Sequence, residues 1–318
     1  MKIKTNGWFI ALAILFIPLI AGCEGGATNL NMATGGVAGT YYPLGGAMAT
    51  VVNNRTDVNI TSMASGASVS NVEQLYNNDA QLALVQNDIL YYAFHGTGIW
   101  EGRTPITNIA ALMTLYPETL QVVVLEDSGI YSLADLNGMR VSVGDAGSGT
   151  EANARQLLGA YGLTFDDITV IHQGFAASAD LMRDLNLDAF FITAATPNTA
   201  VMELNTARDL RILTLSDEAI DHLLSTYSFF APDVITSDAY PWLGSETVQT
   251  VAVQATLVAR ADLDDEIVYD IVRALIEGSD EIGHARGANI NAHNAVQALS
   301  IPLHPGAYLF FDRIGALE

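Results

Sequence analysis

The chain has 318 residues, of which 50% are hydrophobic, and this content excludes a disordered protein. It carries 35 acidic residues against 13 Lys and Arg, a net charge of −22, and no lysine follows Lys4. Such a surface repels nucleic acid and anionic lipid, so neither is an expected partner. The simplest origin of the acidity is a saline habitat, where surface carboxylates favour solubility. An anionic ligand would therefore bind through local dipoles, against the overall field.

The N-terminus has the pattern of a signal peptide. Two lysines precede an apolar run over residues 8–20, which is shorter than the about 20 residues that a membrane span needs. Cys23 is the only cysteine, and it follows two small residues, as in the lipobox of bacterial lipoproteins. We predict a signal peptide over 1–22, a lipidated tether over 23–28 and a periplasmic or otherwise extracytoplasmic protein anchored to the membrane through Cys23.

Strands and helices alternate along the first half of the remaining chain. Predicted strands lie at 29–33, 58–63 and 82–85, and polar segments lead from them to helices reaching about residue 53, over 69–76 and beyond residue 88. Two apolar runs, 109–115 and 120–125, are separated by Tyr116-Pro117-Glu118. The alternation predicts an α/β fold with a mostly parallel sheet, in which ligands bind beyond the carboxyl ends of the strands.

The second half repeats this pattern and ends in helices. Predicted strands lie at 141–143, 170–172, 189–193 and 251–258, and a long helix is predicted from about Asp264 to Ala285 after an acidic turn. We expect two α/β lobes with the ligand cleft between them. The predicted boundaries are 29–122 for the first lobe, 123–248 for the second lobe, and 249–318 for the return to the first lobe.

The segment 144–158 is the most informative local pattern. An apolar strand leads into a Gly/Ser/Thr loop that opens into a helix, so the unpaired N–H groups of the helix start and its dipole can receive an anion. Ser148 and Thr150 add hydroxyl donors, and Gly149 allows close approach to the backbone. Because no lysine follows, the loop is not a nucleotide P-loop. The pattern favours a small carboxylate or phosphate.

A dinucleotide site is a weaker interpretation of the same loop. Residues 147–152 fit G-x-G-x-x-A, and Asp166 and Asp167 follow at about the expected distance. These aspartates precede the next predicted strand, however, whereas the ribose-binding acid belongs at its end. Export also separates the protein from the cytosolic dinucleotide pool.

Other enzyme signatures are missing from the sequence. Ser148 lacks the flanking glycines of a nucleophile elbow, because Ala146 and Thr150 occupy those positions. The six histidines show no paired metal-ligand spacing, and no second cysteine is present. We therefore expect neither an enzyme nor a bound metal or cofactor.

Small polar residues also follow four other strands. Any one of these segments could be a helix cap, but their position at the same end of the sheets favours one binding site. Tyrosines beside them could line the site or pack in the core. The predicted ligand-binding residues are Gly39, Thr40, Tyr42, Ser65, Ser68, Gln86, Tyr116, Ser148, Gly149, Thr150, Thr193 and Asn198.

Ordered motifs along the chain resemble the TAXI family, the solute receptors of one branch of tripartite ATP-independent periplasmic (TRAP) transporters. They are 33–36 (ATGG), 39–45 (GTYYPLG), 65–68 (SGAS), 84–88 (LVQND), 115–118 (LYPE), 141–144 (VSVG), 147–151 (GSGTE), 189–191 (AFF), 197–198 (PN) and 301–307 (IPLHPGA). The resemblance implies a two-lobe, type II-like periplasmic binding protein that closes on its solute and delivers it to a sodium-coupled TRAP membrane permease. It implies a small carboxylate ligand, either a glutamate-like amino acid or a dicarboxylate such as 2-oxoglutarate.

The chain departs from the family pattern at several points. Ala33 stands at the first position of the usual Gly-Thr-Gly-Gly, and Val37-Ala38 replace smaller or more polar residues. Ala195 replaces a glycine, and a lipid anchor is unusual in the family. Because these departures add methyl groups near the cleft, the resemblance leaves the identity of the solute open.

Two alternatives use the same fold. A ligand sensor would have a histidine kinase gene beside its own, whereas a transport receptor would have a permease gene there. An exported enzyme would turn over the solute it binds.

Overall fold

The computed structural model describes residues 1–3 and 27–317. Cys23 and nearly all of the predicted signal peptide lie outside these residues. No helix in the described ranges is long and apolar enough to cross a membrane.

Strands and helices alternate through most of the described chain. In order they are β1 (Thr28–Ala33), α1 (Tyr41–Arg55), β2 (Val58–Met63), α2 (Ser68–Asn77), β3 (Leu82–Gln86), α3 (Asn87–His95), β4 (Ile109–Leu125), β5 (Arg140–Ser142), α4 (Gly149–Ala160), β6 (Thr169–Ile171), α5 (Phe175–Arg183), β7 (Ala189–Ala194), α6 (Thr199–Asn205), β8 (Leu210–Ile212), α7 (Asp217–Thr226), β9 (Ala231–Ile235), β10 (Val248–Arg260), α8 (Asp265–Glu277), α9 (Ala292–Ala295) and α10 (Pro305–Arg313). The predicted α/β class is confirmed.

The strands form one continuous sheet with a parallel set in each lobe. Over residues 27–317 the order is β2-β1-β3-β10-β4-β7-β5-β6, with β8 beside β4 and β9 beside β10. β1 pairs in parallel with β2 and β3, and β5 pairs in parallel with β6 and β7. β3 is buried throughout, as expected of a parallel strand covered on both faces.

Two long antiparallel strands, β4 and β10, connect the lobes. Their apolar residues divide between two groups of core side chains: Met113 and Leu257 pack in the core of β1 to β3, and Val122 and Val251 pack in the core of β5 and β7. This arrangement is the two-lobe fold with a cleft between the lobes. The boundaries at 122/123 and 248/249 remain a prediction.

The predicted break within β4 is wrong, because the strand runs unbroken through Tyr116-Pro117-Glu118. Pro117 has no N–H to donate and is opposite Gln254 of β10, beside a register shift between Ala255 and Thr256. The irregular pairing accommodates proline inside a strand.

The predicted helix over 264–285 is too long. Asp264 caps α8 by accepting from the N–H groups of Glu266 and Ile267, which confirms the acidic helix start. The helix ends at Glu277 and is followed by Gly278 and by short 3-10 segments, Ser279–Glu281 and Ala285–Asn289. A Cβ on Gly278 would lie within 3 Å of Val51, Arg55 and the carbonyl oxygen of Ala274, so glycine lets the end of α8 pack closely against α1.

Candidate functional site

A cavity of about 280 Å³ lies beyond the carboxyl ends of the parallel strands, where the two lobes face each other. Its small volume suits a small-molecule ligand. The lining residues are Gly35, Gly36, Val37, Ala38, Gly39, Thr40, Tyr41, Ala67, Ser68, Gln86, Glu118, Asp145, Ser148, Gly149, Thr150, Gly174, Phe175, Ala176, Ala177, Thr193 and Ala194. In the part of the chain that the structure describes, no Lys, Arg or His lines this cavity.

Four helices of the described chain begin at this cavity. Tyr41 of α1 and Ser68 of α2 come from the first lobe, and Gly149 of α4 and Phe175 of α5 come from the second. Each helix start presents unpaired N–H groups and the positive end of a dipole. The cavity can therefore hold an anion without a cationic side chain.

Two N–H groups at or just before the start of α4 already donate to side chains of the same segment. The Ser148 hydroxyl accepts from the N–H of Glu151 at 3.1 Å, and the Glu151 carboxylate accepts from the N–H of Gly147 at 2.9 Å. The N–H groups of Gly149 and Thr150 belong to the first two helical residues and have no acceptor within the helix. These two groups and the hydroxyl hydrogens of Ser148 and Thr150 are the donors that the start of α4 offers to a ligand.

Gln86 reaches from the first lobe to the start of α4. Its N–H donates to the Ser68 hydroxyl at 3.1 Å, and its side chain packs against Gly149. The residue is 3% exposed, and its amide oxygen Oε1 has no hydrogen-bond partner among the described residues. Since buried polar atoms are nearly always paired, this oxygen is available to a ligand donor.

Glu118 places a buried carboxyl group in the cavity wall. It lies on β4, is 3% exposed and accepts a hydrogen bond from the Tyr41 hydroxyl at 2.7 Å. Burial raises the pKa of Glu118 well above its usual range, and the bond from Tyr41 only partly opposes this. Glu118 belongs to the motif at 115–118 but is not among the predicted ligand-binding residues. The predicted break in β4 gave no reason to expect its side chain in the site.

The structure brings eight of the predicted ligand-binding residues to the cavity. They are Gly39, Thr40, Ser68, Gln86, Ser148, Gly149, Thr150 and Thr193. Both lobes contribute, and the loop that starts α4 lies in the wall.

Four predicted residues lie outside the cavity lining. Tyr42 is 38% exposed, because α1 begins at Tyr41 and successive helical residues point in different directions. Ser65 donates to the Asn71 side chain at 2.5 Å. Tyr116 is fully buried in β4. Asn198 caps α6 by accepting from the N–H of Ala200 at 3.0 Å, the helix-cap alternative.

The second lobe adds a wall that sequence reasoning missed. Phe175, Ala176 and Ala177 open α5 and line the cavity after Gly174. The signal was present, since a strand, a glycine and a helix follow one another here as they do around Gly149. No small polar residue marked the segment.

Hydrogen bonds join the lobes beside the cavity. Asn153 of α4 donates to the Asp88 carboxyl of α3 at 2.8 Å, and Gln156 donates to the Tyr92 hydroxyl at 2.8 Å. Burial raises the pKa of Asp88 to about 7, and the bond from Asn153 opposes the shift. The described form therefore has its lobes in direct contact around the cavity. No group of three or more His, Cys, Asp or Glu in the described ranges could hold a metal ion.

This two-lobe α/β architecture with an interlobe cavity defines the fold of periplasmic binding proteins. The alkanesulfonate-binding protein SsuA from Xanthomonas axonopodis pv. citri, bound to MOPS, is similar with a TM-score of 0.53 and 14% identity, over 90% of this chain and 83% of that one. PhnD1 from Prochlorococcus marinus (MIT 9301), in complex with methylphosphonate, is similar with a TM-score of 0.54 and 12% identity, over 91% and 97% of the two chains. At these identities the likeness shows the fold.

The sequence itself gives the family. The chain belongs to the NMT1-like family, which matches residues 32–315. The match extends from β1 to the segment after α10 and includes every residue of the cavity wall.

Proposed function

We propose that the protein is an extracytoplasmic solute-binding protein that captures a small carboxylate in the interlobe cavity and delivers it to a membrane permease. The observation that carries the proposal is the convergence of four helix N-termini on a cavity without Lys, Arg or His among its described lining residues. Backbone donors supply the positive potential that such a ligand needs in a chain of net charge −22. The protein acts by binding and release, without chemistry.

The carboxylate binds to the N–H groups of Gly149 and Thr150 and to the hydroxyls of Ser148 and Thr150. The remaining ligand contacts come from Gly39, Thr40, Ser68, Gln86 and Thr193. Each hydrogen bond to a charged group contributes about 1.5–3 kcal/mol when the lobes exclude water. Tyr42, Ser65, Tyr116 and Asn198 are left out of the proposed site because they do not line the cavity.

The permease is of the TRAP type, and the protein is held near it by a lipid on Cys23. This part of the proposal rests on the motifs that resemble the TAXI family and on the position of the sole cysteine. Uptake into vesicles that carry the permease encoded beside this gene tests it. A requirement for a sodium gradient supports a TRAP system, whereas a requirement for ATP hydrolysis contradicts it. Cys23→Ser should release the protein from the membrane fraction.

A thermal-shift screen of the purified full-length protein at high salt tests the ligand class. Monocarboxylates, dicarboxylates and amino acids are compared with methanesulfonate and methylphosphonate as matched anions. A carboxylate should raise the melting temperature, because binding to the folded state alone stabilises it. A response confined to sulfonates or phosphonates would overturn the carboxylate assignment.

Ser148→Ala and Thr150→Ala should remove the response to the carboxylate. Ser216→Ala is the matched control, since Ser216 caps α7 by accepting from the N–H of Ala219 at 3.2 Å and does not line the cavity. Both serine variants lose a helix cap worth about 1 kcal/mol. Of these two serine variants, only Ser148→Ala should also lose affinity for the carboxylate.

A further inference from the structure

We propose that Glu118 receives the ammonium group of the ligand, so that the solute is an α-amino acid with a small apolar side chain. The inference rests on the proposed function, which places the ligand carboxylate at the helix starts. It assigns the other two parts of the ligand, an ammonium group and a small apolar side chain. It separates this protein from receptors of dicarboxylates.

The first argument is the charge of the cavity wall. Glu118 and Asp145 are the titratable acids that line it in the described chain, and no Lys, Arg or His lies among the lining residues. A second carboxylate on a ligand would therefore find no cationic side chain to pair with and would oppose ionisation of these acids. An ammonium group meets the opposite situation, because it favours the carboxylate form of a buried acid and pairs with it.

The second argument is the geometry of Glu118. Tyr41 donates to its Oε2 atom, which leaves Oε1 to face a ligand from the cavity wall. The titratable groups around the carboxyl are the phenols of Tyr41 and Tyr116 and the acid Asp88. Arg286 acts on the Tyr116 phenol, whereas no cation acts on Glu118 itself. Burial raises the pKa of Glu118 and so favours its protonated form until a cationic group arrives.

The arrival of an ammonium group reverses this preference. The proton of Glu118 leaves to solvent, and the ammonium N–H groups donate to the carboxylate. The pair is buried and hydrogen-bonded on both sides, since Tyr41 continues to donate to Oε2. Binding therefore releases a proton, which a ligand without an amine would not cause.

The third argument is the apolar remainder of the wall. Ala38, Phe175 and Ala194 line the space that the polar groups leave, and Val37 also lines it although it is 71% exposed. Val37 and Ala38 are also the residues by which the sequence departs from the family pattern toward apolar side chains. In a cavity of about 280 Å³, these surfaces suit a short aliphatic side chain.

Titration calorimetry of the full-length protein tests the inference. Alanine, valine and leucine are compared with their deaminated acids and with glutamate and 2-oxoglutarate, in two buffers of different ionisation enthalpy near pH 7. We expect an aliphatic amino acid to bind most tightly and to release protons when it binds. This measurement needs no variant.

Glu118→Gln keeps an acceptor for Tyr41 but cannot become charged. It should weaken binding of the amino acid by about tenfold to a hundredfold and leave the deaminated acid unaffected. Glu101→Gln, the same change at an exposed acid outside the cavity lining, is the control and should retain binding and proton release. Tighter binding of a dicarboxylate or deaminated acid, or binding without proton release, overturns the inference but leaves the proposed function standing. If no carboxylate of either kind binds, the proposed function fails with it.

Discussion

The Gln86 side chain of the first lobe lies so closely against Gly149 of the second lobe that a Cβ on Gly149 would overlap the Gln86 amide. Gly149 is the first residue of α4 and Gln86 the last residue of β3, so the contact joins a strand end of one lobe to a helix start of the other. The absence of a side chain at this position lets the lobes meet around the cavity.

Gly149→Ala should therefore weaken ligand binding. The added methyl group forces Gln86 and the start of α4 apart, and overpacking of this kind costs about 1–3 kcal/mol. That energy corresponds to a loss of affinity of about tenfold to a hundredfold in a calorimetric titration. The ligand-free protein should keep its melting temperature if the lobes can open to relieve the overlap.

Gly159→Ala is the control in the same helix, because a Cβ there meets no atom within 4 Å. It should stabilise α4 by about 0.5–1 kcal/mol and leave affinity unchanged. Equal affinities for the two variants would show that the contact between Gln86 and Gly149 does not limit closure.

Tyr92→Phe tests the hydrogen bonds that join the lobes. The change keeps the packing of the ring on Phe229, at 5.4 Å between centroids, and removes only the acceptor for Gln156. We expect affinity to fall by about fivefold, since about 1 kcal/mol of interaction belongs to the closed form. Tyr76→Phe, in an exposed tyrosine, should change nothing. If the variant melts at a lower temperature without ligand but keeps its response to the ligand, the hydrogen bond between Gln156 and Tyr92 also forms when the lobes are open.

The sequence best predicted those structural features that a single short segment determines. Glycine and small polar residues near the ends of β1, β2, β3, β5 and β7 indicated five strand ends at one edge, and the described cavity lies there. Ser148 predicted the start of α4 because its hydroxyl can cap only the residues next to it.

The rest of the site depends on contacts between distant residues. Tyr41 reaches Glu118 across 77 positions of sequence, so no local pattern reports that bond. Pro117 argues against a strand interior by its chemistry, and only the irregular pairing with β10 makes its place tolerable. The inward position of Glu118 could not be derived while the strand was expected to break there.

Asn198→Ala should separate helix capping from ligand binding. Its side chain accepts from the N–H of Ala200, so the change should lower stability by about 1 kcal/mol in urea unfolding. Affinity should stay at the level of the unchanged protein, because Asn198 does not line the cavity. A loss of affinity as large as that of Thr150→Ala would return Asn198 to the site.

Asp88 should make the protein less stable as pH rises toward neutrality. Its folded-state pKa of about 7 lies above the ordinary value of 3.8, so the folded state holds a proton that the unfolded chain releases. The stability it contributes is complete below about pH 4 and is lost as pH rises through about 7, a change on the order of 4 kcal/mol. Tyr92, Glu118 and Asn153 face the carboxyl, and none brings a positive charge.

Asp88→Asn should remove this pH dependence, since asparagine can accept from Asn153 as the carboxyl does but cannot ionise. Urea unfolding at about pH 5 and about pH 8 gives the slope of the unfolding free energy against pH. The contribution of Asp88 is the difference in this slope between the variant and the unchanged protein. Asp79→Asn, in an exposed acid that precedes β3, should leave the slope as it is. An unaltered slope in Asp88→Asn would mean that the buried carboxyl stays ionised between the lobes. In that case Asn153 and the start of α3 would be sufficient to stabilise its charge.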